Sequence, residues 1–324
     1  MSRKDLLSVV TGGCGFIGSH LVDSISRRSS KVIVIDNLSS GKLDNVARHL
    51  DKPYFTLVNG DLKKWGEWTE YFQDVDVVFH FAANPEVRVS VTDPRVHFEE
   101  NVVATFNVLE ACRVNDVPLL VFASSSTVYG DAKVIPTPED YSPLEPISVY
   151  GASKLACENL IISYSNLYGI RGLIIRYANI VGPRSNHGVI IDFIRKLKST
   201  SSKLEILGDG SQRKSYLYVD EAVDATLHLL EFFKSSGRSY DIYNVGSEDW
   251  VTVKEIADIV VDVMGLRGVE YVYKPATPDG RGWPGDVKLM LLDISKLKST
   301  GWKPRWSSRE AVRKTAEHIL GRSS

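Results

Sequence analysis

Residues 6–20 read LLSVVTGGCGFIGSH, a short apolar run that leads into three regularly spaced glycines. Leu6–Val10 is short and mostly apolar, which predicts a buried strand, and Phe16–Arg28 is predicted to form the helix that follows. The glycines between and within them have GxxGxxG spacing: the first allows a tight turn, the second lets backbone approach a pyrophosphate, and the third permits close packing of helix on strand. Because a helix N-terminus binds phosphates, the sequence predicts a dinucleotide cradle made of Gly12, Gly15, Phe16, Ile17 and Gly18.

A second predicted strand, Lys31–Ile35, ends in Asp36, eighteen residues after Gly18. A carboxylate at this place accepts hydrogen bonds from the adenosine ribose hydroxyls, which favours NAD over NADP as the cofactor. The alternative is a glycine-rich turn without a ligand, followed by a solvated aspartate. The order strand, glycine-rich turn, helix, strand and acid favours an NAD site over that alternative.

Predicted strands and helices keep alternating along the first half of the chain. The later predicted elements are strands at Tyr54–Val58, Val75–Ala83, Leu119–Ser124 and Gly172–Tyr177, and helices at about Asn101–Val114 and Tyr150–Tyr168. Such alternation gives a parallel sheet covered by helices on both faces, with ligands bound beyond the carboxyl ends of the strands. The residues that lie at such ends are Asp61, Phe81, Ala82, Ala83 and Ser125.

The pattern changes beyond Gly182. A helix is predicted at Val189–Leu197 and another at Ser308–Leu320, with short strands and glycine-rich turns between them. We therefore expect an α/β protein with a doubly wound parallel-sheet Rossmann domain for NAD at residues 1–180. A smaller C-terminal α/β substrate domain is expected at residues 181–324.

Tyr150 and Lys154 are four residues apart, which places both side chains on one face of a helix. An unperturbed tyrosine titrates near pH 10, so it works as a base near neutrality only where positive charge stabilises the phenolate. Lys154 and an oxidised nicotinamide would both supply that charge. The alternative is that Tyr150 is simply packed. Ser125, directly after a predicted buried strand, is expected to project its hydroxyl into the same cleft, although hydroxyl runs often only form turns.

The composition of the 324 residues is ordinary for a soluble enzyme. With 39 basic against 40 acidic residues, the chain lacks the charge excess typical of proteins that bind nucleic acid or an anionic membrane. Its three cysteines have neither CxxC spacing nor nearby histidine pairs, so we expect reduced structural thiols and no metal site. Since Met1–Asp5 leads into a strand too short for a signal-peptide core, the protein is expected to be cytoplasmic.

Eight motifs in order resemble those of the extended short-chain dehydrogenase/reductase family, in its nucleotide-sugar 4-epimerase branch typified by UDP-glucose/UDP-galactose 4-epimerase. The motifs are TGGCGFIGSH, DNLSSG, NGDL, HFAAN, SSSTVYG, PISVYGASK, IIRYANIVGP and WPGDV. The resemblance covers essentially the whole chain. It implies bound NAD, a UDP-sugar substrate and a homodimer formed by the helices at about Asn101–Val114 and Ser153–Tyr168.

The resemblance also assigns roles to individual residues. It implies that Tyr150 removes the proton of the sugar 4-hydroxyl, that Lys154 holds the nicotinamide ribose and lowers the pKa of the phenol, and that Ser125 hydrogen-bonds the reacting oxygen. It places further residues at the cofactor, namely Asn37, Ser39, Gly41, Leu62, Asn101 and Tyr177.

Thr127 is the residue that best distinguishes an epimerase from the other enzymes of the family. Related 4,6-dehydratases and the decarboxylases that make UDP-xylose have a glutamate just before the Val-Tyr-Gly that follows Thr127 here. Without that acid, elimination of a 6-hydroxyl is disfavoured, and an epimerase is the better interpretation. The alternative is that Thr127 is a turn residue and that another acid substitutes.

On the substrate side, Asn179 and Val189 match family positions around the UDP group. The usual diphosphate arginine is replaced either by Lys214, as a point charge, or by Arg213, and which of the two binds stays open. Trp283 stands where the family has a second arginine, and Arg281 is the nearest substitute. Either arginine could instead be a solvated loop residue. Met290 matches the position whose size governs room for an N-acetyl group, and ordinary core packing explains it equally well.

Asn84–Arg88 departs from the family pattern by lacking a lysine near the cofactor phosphates and the sugar. The leading hypothesis is 4-epimerisation between UDP-glucose and UDP-galactose. Its alternatives are a 4-epimerase of UDP-N-acetylhexosamine or UDP-glucuronate, a net dehydratase or reductase, and a nucleotide-sensing binding module. The last is disfavoured because the Tyr/Lys pair is kept.

Overall fold

The computed structural model describes residues 6–27 and 29–322. In chain order its strands are β1 (Leu7–Thr11), β2 (Lys31–Asp36), β3 (Phe55–Asn59), β4 (Val77–His80), β5 (Leu119–Ser125), β6 (Arg171–Tyr177), β7 (Asn179–Val181), β8 (Lys203–Leu207), β9 (Arg213–Lys214), β10 (Tyr216–Tyr218), β11 (Tyr240–Val245), β12 (Val251–Thr252), β13 (Glu270–Lys274) and β14 (Leu289–Met290). Its helices are α1 (Phe16–Ile25), α2 (Val89–Thr92), α3 (Arg95–His97), α4 (Ala104–Val114), α5 (Val149–Tyr168), α6 (Val189–Ser199), α7 (Val219–Ser235), α8 (Val253–Met264), α9 (Ser295–Ser299) and α10 (Ser308–Ile319).

The main sheet has seven strands in the order β11-β6-β5-β4-β1-β2-β3. The ladders that join β1 to β2 and β4, β2 to β3, and β4 to β5 are parallel. Thr11 pairs with Ile35 on one side and with His80 on the other, so the carboxyl ends of three central strands meet at one edge. The strand order reverses between β1 and β4, which is where doubly wound sheets bind dinucleotides. The predicted α/β fold is confirmed.

The core of this sheet follows from its near-continuous apolar strands. Every residue of β2 after Lys31 is buried, as expected for a parallel sheet that helices cover on both faces. Apolar side chains of α4 and α5, among them Val108, Leu109 and Ile161, join the same cluster. Helix α5, which carries Tyr150 and Lys154, is therefore anchored to the strands of this sheet.

Smaller sheets lie in the second half of the chain. They pair β10 with β7, β13 with β8, and β9 with both β12 and β14. A second apolar cluster includes residues of α6, α8 and α10. Helices α8 and α10 each begin with a capping box, formed by Thr252 with Glu255 and by Ser307 with Glu310.

Two compact units make up the chain. One contains the residues up to Val128 together with Val149–Arg176 and Val223–Tyr243; the other contains Tyr129–Ser148, Tyr177–Ala222 and the residues from Asn244 onward. The chain thus passes between the units several times. The division into an NAD domain and a substrate domain at residues 180 and 181 stays a prediction.

Several element boundaries differ from those predicted. Helix α1 ends at Ile25, and its predicted end, Arg28, lies outside the described residues, as does the segment Met1–Asp5. The strand predicted at Val75–Ala83 is confined to β4, because the Ala82 N–H bonds to the Thr11 side chain, at 3.4 Å, rather than continuing the ladder.

One further predicted helix starts differently. The helix expected from Asn101 begins as an α-helix at Ala104, after a π-helical turn at Phe98–Val103. Between β2 and β3 the chain also forms two 3-10 turns, Leu43–Asn45 and Ala47–His49.

All three cysteines are buried and carry free thiols. Burial raises the pKa of each thiol, so they stay protonated near neutral pH, as expected of structural cysteines. Within the described ranges, none of the helices is both long and apolar enough to span a membrane.

Candidate active site

The glycine-rich turn is shaped by two glycines that no other residue could replace without a shift of the backbone. Gly12 has φ +70°, and a Cβ there would lie 2.6 Å from the backbone N of Ala82. A Cβ on Gly18 would lie 2.3 Å from the carbonyl oxygen of Gly12. Because these distances are far below van der Waals contact, helix α1 packs against the turn only with glycine at both positions.

Gly15, the residue before α1, closes the turn by donating its N–H to the Gly12 carbonyl at 3.0 Å. None of the described side chains caps the helix at this end. The first-turn N–H groups of an α-helix have no partner inside the helix and suit an anion. The turn thus offers Phe16 and Ile17 N–H groups to a phosphate, as the sequence predicts.

Asp36 ends β2 beside this turn. Its two carboxylate oxygens accept the N–H groups of Cys14, at 2.9 Å, and Leu38, at 2.8 Å. Burial raises the pKa of Asp36, whereas the hydrogen bonds from Leu38 and Cys14 lower it. A carboxylate has about four lone-pair sites, so two backbone bonds leave capacity for the ribose hydroxyls of a dinucleotide.

The loop after Asp36 carries three more predicted cofactor residues. The Ser39 N–H donates to the side chain of Asn37 at 3.0 Å. A Cβ on Gly41 would lie 2.9 Å from the Cys14 backbone, so this loop approaches the glycine-rich turn closely. Asn37, Ser39 and Gly41 are therefore on the cofactor side of the sheet, and their individual contacts stay predictions.

Other predicted cofactor residues follow the ends of neighbouring strands. Asp61 follows β3 and accepts the Lys63 N–H at 3.1 Å, while Leu62 is buried in the core. Phe81 donates its N–H to the Thr11 carbonyl at 3.1 Å, and with Ala82 and Ala83 it continues beyond β4. Tyr177 is buried at the end of β6.

Asn101, also predicted at the cofactor, uses both ends of its amide inside the protein. Its Oδ1 accepts the Asn84 N–H at 2.8 Å, and its Nδ2 donates to Ser153 Oγ at 2.8 Å. Asn101 therefore links the segment after β4 to helix α5, and any contact with NAD stays a prediction.

The structure brings the three predicted catalytic residues together. Tyr150 and Lys154 lie on the first turns of α5, with Lys154 Nζ 5.9 Å from the centroid of the Tyr150 ring. Ser125 ends β5 and shares a side-chain hydrogen bond with Tyr150. Ser125 Oγ also accepts hydrogen bonds from the N–H of Thr127, at 3.2 Å, and from its hydroxyl, at 3.0 Å.

The protein groups alone hold Tyr150 as a neutral phenol. Burial raises the pKa of Tyr150 to about 12, and the hydrogen bond from Ser125 lowers it only in part. Burial also lowers the pKa of Lys154 to about 8, while Cys157 and Glu158 act in the opposite direction. Activation of the phenol near neutral pH thus needs further positive charge, such as that of an oxidised nicotinamide.

A buried network that sequence reasoning missed lies directly behind the catalytic residues. Ser124 donates to Glu158 at 2.5 Å, and Arg176 pairs with the same carboxylate at 2.7 Å. The side chains of Arg176 and Glu158 are only 2% and 1% exposed. Glu158 lies one turn after Lys154, and this i, i+4 spacing was the available sequence signal.

The predicted diphosphate cations differ in what holds them. Lys214 pairs with the buried Asp286 at 2.6 Å, and its Nζ lies 5.4 Å from the Trp283 ring centroid. Arg281 donates to Asp131 at 2.9 Å and to Asp279 at 2.6 Å, and these hydrogen bonds raise its pKa.

Arg213, in contrast, is exposed, and its guanidinium lies 5.6 Å from the centroid of the Trp250 ring. The other three substrate-side candidates lie in different surroundings. Asn179 donates its Nδ2 to the Ser215 carbonyl at 3.1 Å, Val189 begins α6, and Met290 is buried in β14. The burial of Met290 fits the core-packing alternative.

Among the described residues, no group of three or more His, Cys, Asp and Glu side chains could hold a metal ion.

Residues 8–246 match the model of the family described as NAD dependent epimerase/dehydratase. This match covers more than half of the chain. The chain belongs to that family.

Relatives of this family match the chain nearly end to end. A UDP-glucose 4-epimerase of Mycolicibacterium smegmatis is 33% identical over 98% of this chain and 99% of its own length. The crystal structure of a UDP-galactose 4-epimerase has 51% identity and a TM-score of 0.86, covering 98% of this chain and 99% of that chain. A UDP-N-acetylglucosamine 4-epimerase from Methanobrevibacter ruminantium M1, in complex with UDP-N-acetylmuramic acid, has 33% identity and a TM-score of 0.85 over the same shares.

Membership of the epimerase/dehydratase family confirms four of the predictions. They are the extended short-chain dehydrogenase/reductase resemblance, the fold, the assignment as an NAD-using isomerase and the cofactor. The cofactor assignment also agrees with the structure, since the uncapped start of α1 and the close approach around Gly12 and Gly18 fit a pyrophosphate. Gly12, Gly15, Phe16, Ile17 and Gly18 would hold the pyrophosphate, and Asp36 the adenosine ribose.

Proposed function

We propose that this enzyme interconverts UDP-galactose and UDP-glucose by epimerisation at C4, through a transient 4-keto sugar. The observation that carries the proposal is the Ser125, Tyr150 and Lys154 constellation, with a threonine hydroxyl at position 127 in place of an acid. The names of the relatives from M. smegmatis and of the UDP-galactose epimerase structure support this substrate class.

Tyr150 acts as the base that takes the proton of the sugar 4-hydroxyl. After the 4-keto sugar has rotated to present the other face of C4, the same phenol returns the proton to O4. No net proton is therefore released. The chemistry that NAD supplies when bound is reversible hydride exchange at C4. Because hydride leaves and returns within one turnover, the net redox change is zero.

Ser125 orients both the base and the substrate oxygen. It shares with Tyr150 a side-chain hydrogen bond that lowers the pKa of the phenol, and its oxygen accepts from Thr127. In the ionised state a phenolate next to a hydroxyl donor is stabilised. Ser125 is thereby placed to transfer its hydrogen bond to the developing ketone oxygen at C4.

Lys154 provides a buried cation close to the phenol. Its Nζ donates to the Ala123 carbonyl at 2.9 Å, which fixes the ammonium at the carboxyl end of β5. Glu158, one turn further along α5, raises the pKa of Lys154 and so favours its charged form. A fixed cation here favours the phenolate over the phenol during proton transfer.

Thr127 is evidence that this enzyme does not catalyse the elimination carried out by the dehydratases of the family. A dehydratase needs an acid/base to remove the sugar 6-hydroxyl, and a threonine hydroxyl titrates far outside the useful range. In the structure the Thr127 hydroxyl donates to Ser125. Thr127 thereby supports the serine that we propose to hydrogen-bond the sugar oxygen at C4.

A panel of UDP-sugars tests the proposal. Purified enzyme is incubated separately with UDP-galactose, UDP-N-acetylgalactosamine and UDP-galacturonate, and the 4-epimers are separated by chromatography; Tyr150→Phe, which keeps the ring, is the matched control. Fastest conversion of UDP-galactose by the wild type and loss of it in the variant are expected. Preference for an N-acetylhexosamine or a uronate would move the assignment to that rival, and inactivity on all three would overturn it.

We also propose that the enzyme is a homodimer joined through α4 and α5. The two helices lie side by side, since Tyr164 donates to Glu110 at 2.7 Å. Both expose large apolar side chains, with Phe106 45% and Leu167 71% exposed. Paired helix faces of this kind suit a two-fold interface. Sedimentation analysis is expected to give twice the chain mass, and a monomer at micromolar concentration would refute the proposal.

A further inference from the structure

The segment before α4 contacts the catalytic tyrosine and its helix in three ways. Ser90 Oγ accepts the backbone N–H of Tyr150 at 3.1 Å. Asn101 donates to Ser153 Oγ, which in turn donates to the Tyr150 carbonyl at 2.7 Å. The third contact is made by His97, whose ring meets the Tyr150 ring. The first two fix the backbone of Tyr150, so the third is the one that acts on its side chain.

His97 is fully buried, and its ring centroid lies 5.6 Å from that of Tyr150 with 71° between the planes. This is the edge-to-face arrangement that aromatic pairs prefer. Within the described part of the chain, neither ring nitrogen of His97 has a hydrogen-bond partner. The contact with the phenol ring is therefore a principal specific interaction of this imidazole.

The charge state of His97 fits such a contact. Burial lowers the pKa of His97, which favours the neutral ring. Four charged groups act on it, three carboxylates that raise the pKa and one ammonium that lowers it, namely Glu100, Asp93, Glu86 and Lys154.

We propose that His97 is a positioning residue for Tyr150, acting through the edge-to-face contact between the two rings. It rests on the proposed role of Tyr150 as the base. The phenol oxygen has to stay within hydrogen-bond reach of Ser125 and of the sugar 4-hydroxyl, and its place depends on the rotation of the ring. His97 lies against the Tyr150 ring at this edge-to-face contact and limits its rotation.

The position of His97 at the end of α3 explains how the contact is maintained. The π-helical turn Phe98–Val103 follows at once and leads to Asn101, which is tied to α5. His97 is thus held on a segment that is itself bonded to the helix carrying Tyr150.

Substitutions at residue 97 separate a ring contact from a polar or merely space-filling role. His97→Phe keeps an aromatic edge and removes both unpartnered nitrogens, so it is expected to fold and to melt at a temperature no lower than the wild type. His97→Leu fills much of the volume without an aromatic edge. His97→Met serves the same purpose if the leucine variant fails to fold.

The experiment measures kcat and KM for UDP-galactose over a range of pH for the wild type and each variant, with bound NAD and thermal unfolding as folding controls. We expect His97→Phe to remain within about threefold of the wild-type kcat. We expect His97→Leu to lose about tenfold to a hundredfold in kcat with KM little changed, as misplacement of a catalytic group does. The acid limb of its kcat profile should move to higher pH, because a displaced phenol loses the Ser125 bond that lowers its pKa.

Three results would overturn the proposal. They are wild-type kcat in His97→Leu, an equal loss in the phenylalanine and leucine variants, and an effect confined to KM. The Tyr150→Phe protein is assayed alongside: if it stays active, the proposed base is wrong, whereas if it is inactive and the His97 variants behave alike, only the role of His97 fails.

Discussion

Lys154 Nζ lies 5.9 Å from the centroid of the Tyr150 ring and donates its hydrogen bond to the Ala123 carbonyl rather than to the phenol oxygen. The lysine therefore acts on the tyrosine through its charge. Burial opposes ionisation of the phenol in two ways. It raises the pKa of Tyr150 to about 12, and it lowers the pKa of Lys154 to about 8, which disfavours the charged form of the lysine. In the proposed mechanism, Tyr150 therefore becomes an effective base only when further positive charge is present.

Tyr150→Phe removes the base and keeps the ring. We expect kcat for UDP-galactose to fall by at least about 100-fold, the usual size of a general-base contribution, while bound NAD and thermal stability stay close to wild type. Steady-state kinetics and the nicotinamide content of the purified protein check this. Retained activity would contradict the assignment of Tyr150.

Gly18→Ala is expected to disrupt the nucleotide cradle. The new Cβ would lie 2.3 Å from the Gly12 carbonyl oxygen, so helix α1 would have to move away from the turn that receives the pyrophosphate. We expect the protein to lose most of its bound NAD and to unfold at lower temperature. Gly66→Ala is the matched control, since its Cβ would meet nothing closer than 3.8 Å and its backbone is extended. Equal NAD content in both variants would refute the cradle.

Lys154→Met tests how much the buried ammonium of Lys154 lowers the free energy of unfolding. The pKa of Lys154 falls from 10.5 to about 8 on folding, so the unfolded chain binds the proton more tightly between these values. The free energy of unfolding therefore rises with pH from about 8 to 10.5, and the penalty is fully present below pH 8.

The methionine variant is then expected to be more stable than the wild type below pH 8, by about 3 kcal/mol, and the difference should shrink as pH approaches 10.5. Its activity should be low throughout. Denaturant unfolding at a series of pH values measures this, and a stability difference that does not change with pH would count against the depressed pKa.

The buried Glu158–Arg176 pair predicts a non-additive result. Glu158→Met and Arg176→Met each leave the other buried group without its countercharge, and each is expected to cost about 3–5 kcal/mol of unfolding free energy. Replacing both residues by methionine removes both charges and should cost much less than the sum of the single changes. Ser124→Ala, which keeps the pair and removes one hydrogen bond, is the control. Additive losses in a double-mutant cycle would show that the two side chains do not act as a unit.

The parts of the site that the sequence predicts well are those set by local spacing. Gly12 and Gly18 are six residues apart, and their need for glycine follows from one turn and the start of one helix. Tyr150 and Lys154 meet because a helix brings residues four apart onto one face. The ends of parallel strands lie at one edge of the sheet, which places Ser125 near them.

The parts that escaped prediction depend on packing between distant segments. Ser124 and Glu158 are 34 residues apart, and His97 reaches Tyr150 only because α3 folds against α5. Lys214 is predicted as a candidate for binding the diphosphate, and its pairing with Asp286, 72 residues away, could not be foreseen from the sequence. Such partners are chosen by tertiary structure, and neither composition nor periodicity identifies them.

In the proposed reaction this enzyme inverts C4 of a UDP-hexose with NAD that stays bound. Purified protein is mixed with UDP-galactose, without added NAD, and UDP-glucose formation and nicotinamide absorbance are followed together. UDP-glucose is expected to form without net accumulation of NADH. Accumulation of NADH in proportion to substrate consumed, or no UDP-glucose even after NAD is added, would contradict it.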